Sequence, residues 1–514
     1  MDIRGDGPGR EAEPDNAHAP GLPGFAAGPV LAVAAAVAGF EVLLSGRYGF
    51  HRDELYFLVA GRHPAWGYID QPPLTPLLGR GSVALFGDSP TGLRLVSALL
   101  CAVTVVLVAL LAREFGAARG GQALAAACAA CSAMVLAVGH MLSTVTFDLL
   151  AWLVVSLLTL RLLRTGDGRW WLAVGAATGV ALLNKDLVLL LVVVLVPAIW
   201  VAGPRRVLRG WWPVAGALVA VAVVLPNLWW EAAHGWPQLT VAAGISDKDG
   251  IANRLTFVPM QLLYLSPVLI PIWVTGFRRL RRAPELRWAR AFAVAYPVIC
   301  LVVLASGGKP YYALPLLLVL TAAGCEPTVQ RLQAPAPDSS RRWARFAAWL
   351  AVGALANVVI TLPVLPARLL PAVTWIYPEQ GEQVGWPELA AAAGTGWAAV
   401  PPELRSRAVV FASNYGEAGA LARYGAHYGL PVPYSGHMSF ADWGPPPDTA
   451  DGPVVLLHPA KYPAVERYFT ACHQVAQVDN GHALPNQEQH APILLCTGTT
   501  APWSVLWPQL RHYY

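Results

Sequence analysis

Two adjacent acids, Asp53 and Glu54, directly follow the first apolar stretch and the basic residues His51 and Arg52. A carboxylate held at a membrane surface beside cations can act as a general base and remove the proton of an acceptor hydroxyl. Neighbours on a helix point about 100° apart, so at most one of the two acids should face a reacting group. The alternative is a solvated helix start, where acids are stabilised by the helix dipole.

A third acid, Asp148, opens a later apolar segment, and two lysines, Lys185 and Lys309, lie between other apolar segments. An acid deep in a span costs roughly 2.5–3.5 kcal/mol on the insertion scale, and less near an end. Asp148 therefore either caps its helix or lines a polar cavity. Each lysine either meets a lipid phosphate or extends its ammonium group to the interface. Lys309 is also followed closely by Tyr311 and Tyr312.

The elements that must position these residues are mostly membrane spans. Hydrophobic residues make up 55% and charged residues only 13% of the 514 residues, whereas an ordinary soluble domain has roughly 25% charged residues. Apolar stretches of about 20 residues, long enough to cross a bilayer, recur from Gly28 to Pro363. The composition excludes a water-soluble globule and predicts a polytopic membrane protein.

We predict an all-α membrane domain of about eleven transmembrane helices. The predicted spans lie near 28–46, 91–112, 121–140, 147–163, 170–183, 187–202, 211–229, 257–277, 289–306, 311–325 and 344–363. Arginines cluster in hydrophilic breaks such as 205–209, 278–282 and 341–345, which is typical of cytoplasmic loops. This rule places the N-terminus inside, and the segment 47–90, all four lysines and everything after residue 364 outside.

The flanking regions differ from the membrane domain at 28–363. Residues 1–27 are polar and rich in Pro, Gly and Asp, which predicts a disordered cytoplasmic segment. Residues 364–514 are predicted to form a small extracytoplasmic α/β domain. Its predicted strands lie at 408–413, 453–457 and 493–496, and its predicted helices lie at 417–428 and 460–469.

Cysteine usage agrees with the predicted membrane spans and indicates no metal site. Five of the seven cysteines lie in apolar segments, where Cys behaves as a small hydrophobe. Cys472 and Cys496 lie in the C-terminal region and could form a disulfide if that region is extracytoplasmic; the sequence leaves this open. No Cys/His spacing resembles a zinc site, and no metal or other cofactor is predicted.

Four stretches carry a resemblance to a known family: RDELYFLVAGRHPAWGYIDQPPLTP, SPTGLRLVSAL, TFDLLAW with the LLNKD turn, and GGKPYYALPLLL. In order and in placement relative to the spans, they resemble the polytopic glycosyltransferases that include protein O-mannosyltransferases and the lipid A aminoarabinose transferase. This is the GT-C architecture, and the resemblance covers about the first 325 residues. It implies a polyprenyl-phosphate sugar donor, used on the outer face of the membrane with inversion at the anomeric carbon.

The resemblance also implies roles for individual residues. Asp53 would deprotonate the acceptor, Glu54 would orient a neighbouring group, and Asp148 would be a second acid at the cavity. Family members often have a Lys, thought to contact the donor phosphate, where this chain has Gln71, and Gln supplies no charge. The predicted donor-binding and phosphate-binding residues are Lys185, Lys309, Arg94, Gln71, Asp70, Tyr68, Tyr311 and Tyr312.

The predicted function is that of a multi-pass plasma-membrane glycosyltransferase. Its partners would be the lipid-phosphate donor, an envelope acceptor (protein, lipid or glycan) and membrane lipids. A lipid phosphate leaves already charged and needs cations rather than a general acid. No basic stripe interleaved with aromatics is present, and nucleic acid is not a predicted partner. Tyr415, Gly416 and Glu417 are hypothesised to face the cavity and help choose the acceptor.

Three alternatives are weighed against this function. A transporter or flippase of lipid-linked sugars also uses charged residues within spans, but it is disfavoured by the large acidic outward segment and the lack of an inverted repeat. A membrane-anchored interaction protein would not need eleven spans. A catalytically inactive family member is the hardest to dismiss, because Gln71 removes a charge.

Overall fold

The structure, a computed structural model, describes residues 21–335, 338–457 and 465–513. Most of the predicted disordered segment 1–27 lies outside the described residues, as do Lys461 and the first part of the helix predicted at 460–469. Phe469, the predicted end of that helix, belongs to a short strand. This strand, Phe469–Thr470, pairs with Gly498–Thr499, and the polar strand His473–Gln477 follows it. Pairing with other strands, rather than local propensity, therefore decides the conformation of these residues.

Helices make up nearly all of the described chain from residue 27 to residue 361. This follows from the composition, because in lipid every backbone polar group must be bonded within its own segment or buried against protein. In chain order the helices are α1 (Ala27–Leu44), α2 (Arg52–Arg62), α3 (Leu74–Phe86), α4 (Pro90–Glu114), α5 (Arg119–Ala130), α6 (Ala133–Gly139), α7 (Thr144–Thr165), α8 (Trp170–Leu182), α9 (Val188–Ala202), α10 (Trp212–Ala233), α11 (Pro237–Leu263), α12 (Ile270–Arg282), α13 (Arg290–Ser306), α14 (Leu314–Gln333) and α15 (Ser339–Thr361).

Within the described ranges, seven of these helical segments are long and apolar enough to cross a membrane. They contain α1, α4, α7, α10, α13, α14 and α15. The count rises to nine if each of the bent pairs α5–α6 and α11–α12 is one span. The predicted spans at 170–183 and 187–202 are the shorter helices α8 and α9. The chain is a multi-pass membrane protein, while the total of eleven spans stays a prediction.

The predicted span at 257–277 is not continuous, because α11 and α12 meet at a bend of 65°. Pro267 follows the end of α11 closely, and its ring disfavours a helical conformation for Ser266, which is extended. The backbone groups exposed at this break are bonded by the other bent pair, α5–α6. The N–H groups of Ala133 and Met134 donate to the carbonyls of Leu265 and Tyr264 at 2.9 Å. The two interrupted helix pairs therefore satisfy each other's backbone inside the protein.

The C-terminal region adds a four-stranded sheet in the order β1-β2-β5-β4. The β1–β2 pair is parallel, whereas the β2–β5 and β5–β4 pairs are antiparallel. The strands are β1 (Val409–Ala412), β2 (Val454–Leu457), β3 (Phe469–Thr470), β4 (His473–Gln477), β5 (Pro492–Cys496) and β6 (Gly498–Thr499), with β3 and β6 forming a separate pair. The helices are α16 (Pro371–Thr374), α17 (Trp386–Ala398), α18 (Tyr415–Tyr424) and α19 (Trp503–Leu510).

Alternating side chains of the strands fill two separate cores. Val410 and Val455 pack with residues of α17 and α18 on one face of the sheet. Phe411 and Leu456 pack with residues of α19 on the other face. The predicted strands at 408–413, 453–457 and 493–496 correspond to β1, β2 and β5. The domain limit at residues 363 and 364 stays a prediction.

A disulfide joins Cys472 and Cys496 and closes a separation of 24 residues. Cys496 is the last residue of β5, and Cys472 directly precedes β4, the neighbouring strand in the sheet. The pairing that the sequence left open is therefore made within the C-terminal region. The bond reinforces the edge of the sheet opposite β1.

Helix α18 packs directly on α2, and small residues permit the close approach. A Cβ added to Gly419 would lie 2.9 Å from Cβ of Leu55, and one added to Gly416 would lie 3.2 Å from Cβ of Arg52. These glycines bring the start of α18 against the start of α2, where the two candidate acids lie.

Candidate active site

Asp53 lies in the first turn of α2, with 35% of its side chain exposed. Its Oδ1 accepts a hydrogen bond of 2.7 Å from the hydroxyl of Tyr415. Nε of Arg52 lies 3.8 Å from the same oxygen. Among residues 21–335, 338–457 and 465–513, no side chain or backbone group bonds Oδ2. One oxygen of Asp53 is therefore available to an acceptor.

Glu54 points away from Asp53 and is fully buried, as the helical spacing predicts for two neighbours. It forms a two-pronged pair with Arg94, with Nε–Oε1 and Nη2–Oε2 distances of 2.8 and 2.7 Å. The backbone N–H groups of Leu142 and His51 also donate to this carboxylate, at 2.9 and 2.8 Å. Glu54 therefore joins the start of α2 to α4 and to the segment before α7.

Arg94 is fully buried, and its remaining donors are directed at two protein carbonyls and at Nε2 of His140, 3.5 Å from Nη1. Its Nη1 donates to the carbonyl of Ser45 at 2.7 Å, and its Nη2 donates to that of Gly49 at 2.6 Å. A donor phosphate would have to displace Glu54 to reach this guanidinium. The phosphate contact predicted for Arg94 does not fit this arrangement, which favours a structural pairing instead.

His51 stands before α2 and bridges it to the C-terminal region. Its Nδ1 accepts from the N–H of Asp53 at 3.2 Å, and its Nε2 lies 2.9 Å from Oε2 of Glu379. Desolvation raises the pKa of Glu379, but the His51 hydrogen bond and the charges of His51, Arg52 and Lys309 outweigh it and lower the pKa to about 2. Glu379 is therefore ionised beside the candidate base.

Asp70 lies at the other end of the segment that follows α2. Its Oδ1 accepts a hydrogen bond of 2.6 Å from Tyr56, whose hydroxyl also lies 2.8 Å from Oγ of Ser439. Burial raises the pKa of Asp70 to about 6, although the Tyr56 hydrogen bond and the charge of Lys185 act in the opposite direction. The charge of Asp53 reaches Asp70 as well and adds to the rise.

Lys185 is positioned by the turn between α8 and α9. The neighbouring Asn184 accepts from the hydroxyl of Thr75 at 2.6 Å and donates to the carbonyl of Thr144 at 2.9 Å. These bonds hold the turn against α3 and α7. Nζ of Lys185 then lies 5.5 and 5.7 Å from the ring centroids of Tyr311 and Tyr312, within the range of a cation–π contact.

Asp148 is one turn inside α7 and does not cap it. Ser143 is the N-cap, and its hydroxyl accepts from the N–H groups of Val145 and Thr146. The side chain of Asp148 is buried, its Oδ1 has no hydrogen-bond partner, and it lies within electrostatic reach of Lys185. The capping interpretation left open by the sequence is therefore excluded, and the cavity-lining one remains.

Gln71 and Tyr68 lie in the same segment but in different settings. The amide of Gln71 is 1% exposed, and neither its Nε2 nor its Oε1 has a partner in the structure. A buried amide without partners costs about 1–3 kcal/mol, which a bound ligand could recover. The hydroxyl of Tyr68 instead lies 3.0 Å from the carbonyls of Ala60 and His63, an internal contact that closes the segment.

The structure gathers seven of the predicted site residues into what we call the acid–lysine cluster. Its members are connected by ring contacts or by electrostatic interaction. They are Asp53, Asp70, Asp148, Lys185, Lys309, Tyr311 and Tyr312. The other predicted residues, Glu54, Arg94 and Tyr68, make internal contacts, and Gln71 adjoins the cluster through Asp70. Which of them act on a substrate stays a prediction.

Several residues at the site gave little or no signal in the sequence. Tyr56 was hidden in an ordinary helical stretch, while Glu379 and Ser439 lie in short 3-10 helices far along the chain. Only their contacts reveal them. In the described part of the chain no group of three or more His, Cys, Asp or Glu side chains is arranged to hold a metal. The prediction that no metal is needed stays a prediction.

Comparisons with known proteins agree with this architecture. Residues 70–230, which include Asp70, Asp148 and Lys185, match the sequence model of the family described as dolichyl-phosphate-mannose-protein mannosyltransferase. ArnT from Cupriavidus metallidurans bound to undecaprenyl phosphate is similar in structure, with a TM-score of 0.55 and 17% identity over 91% of this chain and 97% of that chain. The chain has the GT-C fold.

The same ArnT in its apo state is similar over the same shares of the two chains, with a TM-score of 0.54 and 16% identity. No curated protein sequence matches the chain. The GT-C fold expected from the four sequence stretches is thus confirmed. Because the similarity extends over 91% of this chain, it reaches into the C-terminal region that contacts α2.

Proposed function

We propose that this chain is a glycosyltransferase that moves a sugar from a polyprenyl-phosphate donor to a hydroxyl of an envelope protein, lipid or glycan on the outer face of the membrane. One observation carries the proposal. Asp53 presents an unbonded carboxylate oxygen and, like Lys185, lies within electrostatic reach of Asp70. The ammonium group of Lys185 pairs with no carboxylate in the described part of the chain. The base and the phosphate-binding cation that this transfer needs are thereby both available.

The reaction is a single displacement. Oδ2 of Asp53 takes the proton of the acceptor hydroxyl as the acceptor oxygen bonds to the anomeric carbon. The bond between that carbon and the phosphate oxygen breaks, and its electron pair leaves with the polyprenyl phosphate. Lys185 and Lys309 balance the charge of this leaving group. Attack opposite the leaving group inverts the anomeric carbon.

The comparisons support the chemical class of the donor. The similar ArnT structure holds undecaprenyl phosphate, and the matching family is named for a dolichyl-phosphate sugar. Both are polyprenyl phosphates. The sugar and the acceptor are left open by these names, and the arrangement of Asp53 requires only that the acceptor offer a hydroxyl.

The proposal is tested in two steps. Mass spectrometry of envelope glycans from cells with and without the protein identifies a missing sugar, and that sugar on a labelled polyprenyl-phosphate carrier is then offered to the purified protein in liposomes. Transfer of label to the acceptor is the expected result. Movement of labelled carrier across the bilayer without transfer would instead favour a flippase, and no transfer with any carrier would contradict the proposal.

Replacing Lys185 with Gln should raise the donor KM by about 10- to 100-fold, because a hydrogen bond to a charged group contributes about 1.5–3 kcal/mol. The acceptor KM should change little. The matched control is Lys248→Gln on the exposed side of α11, which should leave the donor KM unchanged. Initial rates at varied donor concentration provide the measurement, and equal donor KM values for the two variants would refute the role of Lys185.

Replacing Gln71 with Met should separate donor binding from stability. If the buried amide of Gln71 serves to bind the donor, an apolar side chain of similar size should preserve or raise the melting temperature of the donor-free protein. The same change should weaken donor binding several-fold, because the amide no longer bonds the phosphate or sugar. Thermal unfolding with and without a polyprenyl-phosphate sugar measures both effects. A lower melting temperature with unchanged donor binding would make Gln71 structural.

A further inference from the structure

We infer that Tyr415 is a positioning residue for Asp53, so that the C-terminal region builds part of the base that activates the acceptor. This inference rests on the proposed function, because it concerns the base named there. The sequence suggested only that Tyr415, Gly416 and Glu417 help choose the acceptor. The present inference gives Tyr415 a specific contact, with Asp53, and a specific effect, on kcat.

The hydrogen bonds around Tyr415 determine which group its hydroxyl accepts from and which group it donates to. Nε of Arg52 can only donate, and it donates to the Tyr415 hydroxyl at 3.0 Å. The hydroxyl's single proton then goes to Oδ1 of Asp53 at 2.7 Å. This bond pins one carboxylate oxygen and leaves Oδ2 as the oxygen that can receive a proton.

Arg52 is itself held by the C-terminal region. Its Nη1 donates to Oε1 of Gln487 at 3.1 Å and lies 3.8 Å from Oε2 of Glu382. Its guanidinium carbon lies 4.8 Å from the ring centroid of Tyr415. The Tyr415 ring is thereby fixed from its face and from its hydroxyl, which limits the rotation of the Asp53 carboxylate.

The backbone around Tyr415 is equally constrained. Tyr415 is the first residue of α18, and Asn414 caps that helix by accepting from the N–H of Glu417 at 2.9 Å. The Glu417 side chain reciprocates by accepting from the N–H of Asn414 at 3.2 Å, and it also accepts from the N–H of Ser413 at 2.8 Å. This capping box, together with the close packing of Gly419 on Leu55, brings the phenol to α2 without a flexible linker.

The Tyr415 phenol stays a donor over the physiological range. Burial raises the pKa of Tyr415 well above its ordinary value, and the charge of Asp53 adds to the rise against the effect of Arg52. A protonated phenol at this place orients the carboxylate in the ground state. Its loss should reduce the fraction of molecules in which Oδ2 faces the acceptor, which lowers kcat rather than donor binding.

The test is Tyr415→Phe in the full-length protein, assayed for sugar transfer from the labelled carrier identified above. The ring and its packing are kept, and only the hydroxyl is removed. We expect kcat to fall about tenfold, the effect of one lost positioning hydrogen bond, with the donor KM unchanged. Tyr434→Phe, whose ring packs against the opposite face of the sheet, is the matched control and should keep the parental kcat.

The second arm repeats Tyr415→Phe in an Asp53→Asn background. If Tyr415 acts through Asp53, it should lower the residual rate of Asp53→Asn much less than it lowers the parental rate. An equal factor in both backgrounds, or a parental kcat for Tyr415→Phe beside an impaired Asp53→Asn, would overturn the inference and leave the proposed function standing. A parental rate for Asp53→Asn would instead remove Asp53 as the base, and no transfer by the parental protein with any carrier would remove the proposed function itself. A melting temperature for each variant separates loss of rate from loss of fold.

Discussion

Sugar transfer should fall by about 10²- to 10⁴-fold when Asp53 is replaced with Asn, the range typical of a lost general base. Asn has nearly the same shape, and its amide oxygen can still accept the hydrogen bond from Tyr415 that holds Asp53. It cannot take the proton of the acceptor hydroxyl at neutral pH. The measurement is transfer of label from a polyprenyl-phosphate sugar, with protein amount and melting temperature matched to the parent.

A control for this prediction is Asp88→Asn. Asp88 is an acid of the same segment between α1 and α4, but it pairs with Arg423 at 2.7 Å and makes no contact with the acid–lysine cluster in the described residues. Its replacement should leave the transfer rate near that of the parent. Donor affinity should also persist in Asp53→Asn, because the phosphate is assigned to lysines. A parental rate in Asp53→Asn would rule out Asp53 as the base.

Replacing the neighbouring Glu54 with Gln should have its largest effect on stability instead of chemistry. The change leaves Arg94 charged, fully buried and without its counter-charge, and breaking a buried pair in this way costs about 3–5 kcal/mol. Thermal unfolding of the detergent-solubilised protein, followed by tryptophan fluorescence, should show a large drop in melting temperature. The yield of protein in membranes should fall with it.

The matched control is Glu403→Gln in an exposed 3-10 helix of the C-terminal region, which should change stability by less than about 0.5 kcal/mol. The double variant Glu54→Gln with Arg94→Met should recover part of the stability lost in Glu54→Gln, because it removes the unpaired charge. Equal melting temperatures for Glu54→Gln and Glu403→Gln would show that the pair is not important for the fold.

Adjacent positions in the sequence thus acquire opposite roles. Helical geometry alone predicts that only one of Asp53 and Glu54 can face a reacting group. Which one does so depends on Arg94, which lies 40 positions further along the chain and binds Glu54 from inside the protein. The sequence predicts that one of the two acids faces a reacting group, and only the packing of the helices shows which one.

For the candidate phosphate-binding cations, too, the sequence names the candidates and packing decides between them. The sequence singles out Lys185 because lysines are rare and lie at breaks between apolar stretches. It gives equal standing to Arg94, because nothing local distinguishes a buried arginine from one that faces a ligand. In the structure, the carbonyls of Ser45 and Gly49 and Nε2 of His140 occupy the donors of Arg94 that Glu54 leaves.

Properties that depend on local composition were determined by the sequence itself. These are the multi-pass character, most of the helix positions, three strands of the C-terminal sheet and the acid-bearing start of α2, because hydrophobic length and periodicity act over short stretches. Contacts between distant residues were decided by the tertiary structure. The meeting of Tyr415 with Asp53 across 362 positions, the paired breaks at Leu265 and Ala133, and the burial of Glu54 depend on how helices pack, which no local pattern encodes.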